Sequence, residues 1–405
     1  MTAPAPPLHG LRVLELGELI AGPFIGTLLG EFGAEVIKIE RPGRGDVMRQ
    51  FGPMVNGESL YWLVNGRNKK SVVLDLGQPE ARAVLGDLIG KSDVLVTSLR
   101  PGTLEGWGFD EATLRVEHPK LVIVHASAFG RVGPYQARGG YDPIAQGFSG
   151  LSHATGAADG PPMRAGGAIP VCDFMTGLMG AFGAVLALYA RDGRGRNEGQ
   201  SVDVALYDMA FRMLGPLLSL YDLTGQVWQR DGNHSLGGAP TGHFQTVDGS
   251  WICISVQNDE QFTRCAELVG HPEWSRDARF MSLKLRTENR NVIEDVVTAW
   301  IESRPRDAVL KAFQDAGLGA GPINSVADMA KDAHLAARGV LWEESPSMGR
   351  FRTPAIFPML SATPGSVRRD APRHGQDTEE VLANVLGYSE ERRHNLAQRG
   401  IVSIS

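Results

Sequence analysis

One carboxylate, Asp173, stands where an apolar stretch is about to form a helix. It follows Pro170-Val-Cys172 and precedes an uncharged run, rich in Gly and Ala, that ends at Arg191. An Asp at this place is a natural helix N-cap, because its oxygen accepts hydrogen bonds from the free N–H groups of the first turn. The same position keeps a carboxylate ionised and held in one orientation, so Asp173 is also a candidate covalent nucleophile toward an activated carbonyl.

Basic side chains form a second group that could do chemistry, because they lie close together in the sequence and next to the ends of predicted strands. They are Lys38, Arg41, Arg44, Arg49, Arg67, Lys69 and Lys70. One interpretation is a solvated surface. The other is a site for a phosphorylated ligand, since the loops beyond the carboxyl ends of parallel strands are where α/β sheets bind ligands.

Several signatures of other chemistry are missing from the sequence. Gly17-x-x-x-x-Gly22 is neither the G-x-G-x-x-G of a dehydrogenase nor a P-loop, and Gly147-Phe-Ser-Gly150 does not complete the G-x-S-x-G of a serine hydrolase. The three cysteines are scattered, and the histidines form no H-E-x-x-H motif. The sequence therefore predicts neither a disulfide framework nor a metal site.

The composition is that of a globular chain. Among 405 residues, 21% are charged and 42% are hydrophobic, and the formal net charge of −6 gives a nucleic-acid partner no electrostatic help. The N-terminus lacks the basic start and apolar core of a signal peptide. The uncharged run after Asp173 is at the short limit for a membrane span, and we interpret it as a helix buried on all sides. We therefore expect a cytoplasmic protein that does not enter a membrane.

Short apolar runs alternate with helical patterns through the first 130 residues. The predicted strands are 11–16, 36–39, 72–76, 94–97 and 121–124, with a later one at 200–204, and the predicted helices are 23–32, 79–89 and 111–116. This alternation is typical of βαβ units, so we expect an α/β fold built on a parallel, Rossmann-like sheet.

The texture of the sequence changes at about residue 225. Before it, residues 130–173 are Gly-rich and loop-like, and a helix over about 206–223 leads out of the sheet domain. After it come a hairpin-like segment at 242–256 and helices near 259–269 and 288–302. We assign 1–224 to a large domain that 331–405 completes, and 225–330 to a smaller α+β domain.

A set of motifs then occurs in order along the chain. They are LGELIAGP (16–23), GAEVIKIERP (33–42), RNKKS (67–71), RPG (100–102), GGYD (139–142), TG (155–156), DGPP (159–162), DFMTG (173–177), GQSVD (199–203) and APTG (239–242). As an ordered set, they resemble the class III CoA-transferases, the family of formyl-CoA transferase and carnitine CoA-transferase. The resemblance runs from about residue 8 to beyond residue 340.

The resemblance implies a catalytic role for Asp173. In the family, an aspartate at this motif position attacks an acyl-CoA thioester, and the acyl group passes through an aspartyl anhydride and an aspartyl-CoA thioester to a carboxylic acid acceptor. No ATP is needed, because the two acids are similarly activated, but water must be kept from the anhydride. We expect succinyl-CoA as donor and a small dicarboxylate as acceptor, with coenzyme A as substrate and no covalently bound cofactor.

The family's CoA contacts map onto the following positions. They are Ile20, Ala21, Arg41, Leu74, Asp75, Ser98, Leu99, Arg100, Tyr141 and Asp142, of which Tyr141 and Asp142 lie beside the thioester. The formyl-CoA transferase pattern has Gln at Ile20 and basic residues where Gly77, Gly106 and Gly139 stand here. The missing cations weaken the phosphate site unless Arg100, Lys69, Lys70 or Arg138 substitutes.

The resemblance also implies a covering loop and an assembly. A glycine loop of the smaller domain, with Gly237 and Gly238 in residues 236–239, would cover the intermediate. Its backbone N–H groups could stabilise developing charge. The family further implies a homodimer of two interlocked chains, with each active site between the large and small domains.

Two alternatives remain open. The α-methylacyl-CoA racemases share the fold, but they use a His in a Gly-His-Asp motif, and this chain has Gly140-Tyr-Asp142. A tyrosine of ordinary pKa, about 10, is a poor base at neutral pH, and His125 and His153 lie off the motif. The other alternative is a non-catalytic CoA-binding protein, which would need neither Asp173 nor the glycine loop.

Overall fold

A six-stranded sheet forms the centre of the larger of two units in this computed structural model, which describes residues 5–235, 237–344, 349 and 351–404. In chain order its strands are β1 (Arg12–Leu16), β2 (Glu35–Glu40), β3 (Lys69–Val73), β4 (Val94–Thr97), β5 (Val122–Ser127) and β6 (Ser201–Ala205). The spatial order is β3-β2-β1-β4-β5-β6, and every neighbouring pair is parallel. The predicted α/β class with a parallel sheet is confirmed. The strand order reverses between β1 and β4, which opens a crevice at their carboxyl ends.

The third strand begins three residues earlier than predicted. Lys69 enters the sheet although it is charged, because its Nζ lies 2.8 Å from a Glu15 carboxylate oxygen and donates to the Pro23 carbonyl at 2.6 Å. A buried charge is tolerated when it is paired and hydrogen-bonded. The prediction from hydrophobic patterning treated Lys69 as a polar residue outside the sheet, and it therefore placed the strand at 72–76.

Helices cover both faces of the sheet, which is why strands such as β4 are continuous apolar runs. In the first 225 residues the helices are α1 (Ala21–Glu31), α2 (Leu60–Asn65), α3 (Pro79–Ile89), α4 (Thr103–Gly106), α5 (Glu111–Glu117), α6 (Asp142–Phe148), α7 (Leu151–Ala154), α8 (Val171–Leu188), α9 (Asp208–Met213) and α10 (Gly215–Thr224). Two short helices, α6 and α7, thus occupy the segment expected to be loop-like. The single helix expected over 206–223 is two helices, because Pro216 lacks the N–H that a continuous helix would need.

Glycines bring α8 close to α1. A Cβ placed on Gly177 would lie 2.7 Å from a ring carbon of Phe24 and 3.1 Å from the Ala21 carbonyl oxygen, and one on Gly180 would lie 2.4 Å from Ile25. Such distances exclude any side chain at these two positions unless the helices separate. The Gly-rich composition of the run after Asp173 is therefore a packing requirement.

The expectation that α8 is buried on all sides is wrong for the single chain. One face is buried, with Cys172 and Ala184 fully covered, whereas Leu178, Phe182 and Leu186 on other faces are more than half exposed. Helix α8 and the turn after it, Val171–Gly193, are long and apolar enough to cross a membrane by length and composition alone. An all-round apolar pattern predicts that each side is covered, but it does not predict by what.

The smaller unit comprises residues 153–163 and 228–339. Its antiparallel sheet has the order β9-β8-β7, from β7 (Thr241–Gln245), β8 (Trp251–Ser255) and β9 (Gly319–Pro322). Its helices are α11 (Asp259–Leu268), α12 (Leu283–Glu288), α13 (Arg290–Glu302), α14 (Arg306–Asp315), α15 (Val326–Met329) and α16 (Ala333–Ala337). The boundaries differ from the predicted 225–330. Arg230 Nε donates to the Gly160 carbonyl at 2.8 Å and so ties the early segment to this unit.

The C-terminal residues from 340 onward belong to the larger unit. They contain β10 (Leu341–Glu344) and β11 (Phe351–Pro354), paired antiparallel, and the helices α17 (Thr378–Glu380) and α18 (Glu390–Gln398). The N–H of Asp75 donates to the Ile401 carbonyl at 3.0 Å, so the last residues support the loop that follows β3.

Candidate active site

A cleft of about 1040 Å³ opens along the carboxyl ends of the parallel strands. Residues that directly follow β1, β2, β3, β4 and β5 line it, and Gly17, Ser98 and Ala128 are examples. The cleft therefore crosses the crevice where the strand order reverses, which is the usual ligand position in open α/β sheets.

Gly17 allows the two sides of that crevice to approach each other. Its φ is +148°, and a Cβ on it would lie 2.0 Å from the Ser98 Oγ. Two hydrogen bonds hold the same turn in place. Lys38 Nζ donates to the Gly17 carbonyl at 2.9 Å, and the Leu19 N–H donates to Asp46 Oδ1 at 3.0 Å. Lys38 also lies 2.9 Å from Glu15 and 2.6 Å from Asp46 in fully buried ion pairs.

The basic residues singled out in the sequence divide into two groups. Arg41 and Arg44 line the cleft. Burial and the positive charge of Arg44 lower the pKa of Arg41 from its ordinary value, so positive charge is concentrated here. The other five are tied up in ion pairs, mostly away from solvent: Lys38 and Lys69 with Glu15, Arg49 with Glu40, Arg67 with Glu31, and Lys70 with Glu35. Arg41 also pairs with Glu18, but both side chains are partly exposed at the cleft, so Arg41 and Arg44 are the members of this set that a phosphorylated ligand could reach.

Most of the predicted CoA contacts line the cleft. They are Arg41, Leu74, Asp75, Ser98, Leu99, Arg100 and Tyr141. Ile20 and Ala21 are buried at the start of α1, and the Ile20 side chain packs against Met48 and Trp62 beneath the cleft. An apolar side chain in place of the family's Gln is therefore directed into the core.

Arginines occupy the places of two missing cations. Arg82 donates from Nε to the Leu76 carbonyl at 2.9 Å and from Nη2 to the Gly77 carbonyl at 3.2 Å, so its guanidinium lies at Gly77. A Cβ on Gly139 would be 3.5 Å from Arg100 Nη2.

Among the four substitutes considered from the sequence, Arg100 and Arg138 line the cleft, and Lys69 and Lys70 do not. Sequence reasoning missed Arg82. The available signal was its place in the first turn of α3, because helical side chains point back toward the N-terminus and over the preceding loop.

Asp142 joins α6 to the start of α8. Its side chain is 2% exposed, and its Oδ1 accepts from the Cys172 N–H at 2.7 Å. Its Oδ2 accepts from Gln146 Nε2 and from Arg164 Nη2, both at 2.8 Å. The oxygens of Asp142, a predicted CoA contact, are bonded to the first turn of α8, to the loop before it and to Gln146 of its own helix, and Asp142 is not among the residues that line the cleft.

Asp173 is not the N-cap of α8, contrary to expectation. The helix begins at Val171 with Pro170 as its N-cap residue, so Asp173 is the third residue of the first turn. The capping oxygen comes from Asp142 on another helix. Because the N-cap task is already done, the Asp173 carboxylate is free for another role.

Asp173 is half-buried, and no donor in the described part of the chain bonds its carboxylate. Burial, reinforced by the negative charge of Asp142, raises its pKa to about 7. Perturbation by burial and a like charge is typical of functional carboxylates. Tyr141 is 67% exposed and lines the cleft beyond β5, whereas Asp142 and Asp173 are not among the lining residues. Asp142, which follows Tyr141 in the chain, links this end of the cleft to the first turn of α8 through the Cys172 N–H.

The histidine of the racemase motif has no counterpart at its position, which Tyr141 occupies here. Burial and the nearby Arg131 lower the pKa of His125 to about 4. Its Nδ1 lies 3.0 Å from Arg131 Nη1. His125 therefore lacks the near-neutral pKa that suits a general base.

The glycine loop is a tight turn in the smaller unit, and Leu236 lies outside the described residues. Gly238 is confined, because a Cβ on it would be 2.5 Å from Thr241 Oγ1 and 2.8 Å from the Val256 carbonyl oxygen. A Cβ on Gly237 would meet nothing within 4 Å, and its N–H donates to Ser235 Oγ at 3.1 Å. Packing alone therefore requires glycine at 238 but not at 237.

Known proteins resemble this chain along almost its whole length. A family model described as CoA-transferase family III matches residues 8–378. The alpha subunit of succinyl-CoA–L-malate CoA-transferase from Chloroflexus aurantiacus is 38% identical over 399 residues, which cover 98% of this chain and 92% of that protein. Succinate–glutarate CoA-transferase from Agrobacterium fabrum is 35% identical and covers 94% of this chain and 96% of its own length.

A solved structure has the same architecture. A CAIB/BAIF family protein from Brucella suis superimposes with a TM-score of 0.81 at 31% identity, over 94% of this chain and all of the other. The ordered motifs, the parallel-sheet cleft and these relatives converge. This chain belongs to the class III CoA-transferase family and is an acyl-CoA:carboxylate CoA-transferase.

Proposed function

We propose that this enzyme transfers CoA from succinyl-CoA to a small dicarboxylic acid by covalent catalysis at Asp173. The names of two relatives support the substrates, since one pairs succinyl-CoA with L-malate and the other pairs succinate with glutarate. The observation that carries the mechanism is the carboxylate of Asp173, which is half-buried near Asp142, has no hydrogen-bond donor in the described part of the chain and has a pKa of about 7.

The reaction proceeds in four displacements. A carboxylate oxygen of Asp173 attacks the thioester carbonyl, the C–S bond breaks, and CoA leaves as a thiolate with a mixed anhydride behind it. The thiolate attacks the aspartyl carbonyl, which releases succinate and leaves an aspartyl-CoA thioester. The acceptor carboxylate displaces CoA from this thioester to form a second anhydride. The thiolate then attacks the acceptor's acyl carbon, which yields the new acyl-CoA and regenerates Asp173.

The raised pKa of Asp173 suits this sequence. A carboxylate that is poorly solvated is a stronger nucleophile than one in water, and with a pKa of about 7 a substantial fraction is ionised at neutral pH. In the last step Asp173 leaves again as a carboxylate, when the thiolate attacks the acceptor's acyl carbon.

The cleft also has the length and charge for coenzyme A. The strands β3 and β5 are separated by four strand spacings, or about 19 Å. That span matches a pantetheine arm and diphosphate extended from Asp173 toward Arg82. Arg41, Arg44, Arg82, Arg100 and Arg138 would neutralise the phosphates along this path.

We also propose a homodimer, because several large apolar side chains of the larger unit are left uncovered by the described part of the chain. Leu178 and Phe182 on α8, Phe211 on α9, and Leu218 and Tyr221 on α10 are each 46–56% exposed. Contiguous exposed apolar groups of this kind mark protein interfaces. The family's interlocked dimer would bury them, and Gly237 and Gly238 would cover the anhydride. A single-chain mass in size-exclusion chromatography with light scattering would contradict this assembly.

The direct test is mass spectrometry of the enzyme incubated with succinyl-CoA and a panel of acids. We expect exchanged CoA esters and, after hydroxylamine trapping, a modification on the peptide that contains Asp173. The Asp173→Asn variant is the matched control and should give neither. Exchange of the α-proton of a branched acyl-CoA without CoA exchange would instead indicate a racemase.

A further inference from the structure

Arg164 is held in a fixed place in the loop that leads into α8. The N–H of the next residue, Ala165, donates to Gln146 Oε1 at 2.9 Å, and Gln146 Nε2 lies 3.3 Å from the Ala165 carbonyl oxygen. Gln146 itself is fully buried on α6. The loop backbone at Arg164 is therefore clamped to a rigid helix.

The guanidinium of Arg164 lies close to the nucleophile. Its Nη2 donates to Asp142 Oδ2 at 2.8 Å, and the other oxygen of that carboxylate accepts from the Cys172 N–H at 2.7 Å. Cys172 precedes Asp173 directly. The arginine and the first turn of α8 are thus bonded to the two oxygens of one carboxylate.

Most of the donors of Arg164 remain unused. A guanidinium has five N–H groups in a rigid fork. Within the described ranges, Asp142 is its one acceptor, and the Arg164 side chain is 40% exposed whereas that of Asp142 is 2% exposed. The remaining N–H groups are therefore open to solvent or to an acceptor on a ligand.

The charges around Asp173 show what that acceptor needs to be. Asp142 and Asp173 bring two carboxylates to the start of α8, and Arg164 is the cation bonded to one of them. An incoming dicarboxylate would add a second negative end to an already acidic site. That end is repelled unless a cation with free donors receives it.

We infer that Arg164 is a specificity-determining residue, which binds the unreacted carboxylate of the succinyl group and of the acceptor acid. This inference rests on the proposed function, since it assumes that substrates are attacked at Asp173. A guanidinium recognises a carboxylate with two parallel hydrogen bonds. An acyl group of equal length that lacks the second carboxylate would make no such hydrogen bonds, so Arg164 would add nothing to its binding.

The test compares two acyl-CoA substrates with the same enzyme variant. Arg164→Gln should lower kcat/KM about 30- to 100-fold for succinyl-CoA and less than threefold for butyryl-CoA, which has a methyl group in place of the carboxylate. Arg164→Lys keeps the charge but loses the fork and should lie between the wild type and Arg164→Gln for succinyl-CoA. The control is Arg196→Gln, since Arg196 is 55% exposed and its ion pair is with Glu198.

Equal losses for both donors would overturn the inference, because they would mean that Arg164 acts only by neutralising Asp142. A thermal melt of each variant separates either result from misfolding. The trapped adduct at Asp173 in the wild type is an independent readout. If that adduct is absent, the proposed function fails, whatever the donor ratio of Arg164→Gln is.

Discussion

Two groups of buried charges lie in the larger unit, one beneath the turn after β1 and one at the start of α8, and they differ in how completely they are paired. Beneath the turn after β1, Lys38 contacts Glu15, Asp46 and the Gly17 carbonyl. Burial alone would lower the pKa of Lys38, but the nearby Asp46 and Glu15 outweigh it and raise that pKa. At the start of α8, the charge of Asp142 has partners but that of Asp173 has none in the described part of the chain, and burial raises its pKa to about 7.

The difference in pairing distinguishes charges that stabilise the fold from a charge that is available for catalysis. A fully paired charge contributes to a fixed backbone, and its removal harms folding. An unpaired, half-buried acid costs stability, and its removal should harm only the reaction. Variants at the two sites should therefore affect opposite properties.

The largest expected effect is at Asp173. Asp173→Asn should lower kcat by at least about 10³-fold, because the amide cannot act as the nucleophile. The folded-state pKa of about 7 lies above the ordinary 3.8, so the acid's contribution to stability is full below pH 4 and lost as the pH rises through 7. The variant should therefore melt higher than the wild type at pH 8 and equally at low pH. A lower melting temperature at pH 8 would show that Asp173 is part of the scaffold.

Lys38→Met should have the opposite signature. It leaves Glu15 and Asp46 buried without their cation, at a cost of about 3–5 kcal/mol, or about 10 °C in melting temperature. Differential scanning calorimetry would measure this loss, with the exposed Lys284→Met as control. A variant that melts like the wild type would mean that the network does not support the cleft.

Arg82→Gln should weaken CoA binding without slowing chemistry. We expect KM for succinyl-CoA to rise about tenfold at unchanged kcat, because one charged hydrogen bond to a phosphate is lost. The same measurement with the 3′-dephospho-CoA ester identifies the phosphate involved. Arg399→Gln, whose exposed partner Glu80 lies on the same helix α3, is the control. An unchanged KM for both esters would remove Arg82 from the binding site.

The smallest effect is on the pH profile of the wild type. Since the carboxylate must be ionised to attack, kcat/KM should fall about tenfold per unit as the pH drops below 7. Rates at constant ionic strength between pH 5 and 9 would measure this limb. If kcat/KM stayed constant down to pH 5, the nucleophile would have the pKa of an ordinary, solvated carboxylic acid. The two charge groups would then not differ in the way described above.

The sequence predicted the parallel sheet because alternating apolar runs and helical patterns depend on local residue types. It misplaced β3, because the partner that allows Lys69 into the sheet is Glu15, which is 54 residues away. It made Asp173 an N-cap for the same reason, since the capping oxygen belongs to Asp142, 30 residues upstream of Cys172. The exposed face of α8 was unpredictable in principle, because an apolar residue does not reveal what covers it.

The missing side chains at Gly177 and Gly180 also bear on how the enzyme prepares for its substrate. Helix α1 starts at the turn that borders the cleft, and α8 starts two residues before Asp173. The two helices pack closely over these glycines and so hold the turn and Asp173 at a fixed distance from each other. If Asp173 attacks the thioester as proposed, its orientation is established while the chain folds, and little reorganisation is left for the moment of attack.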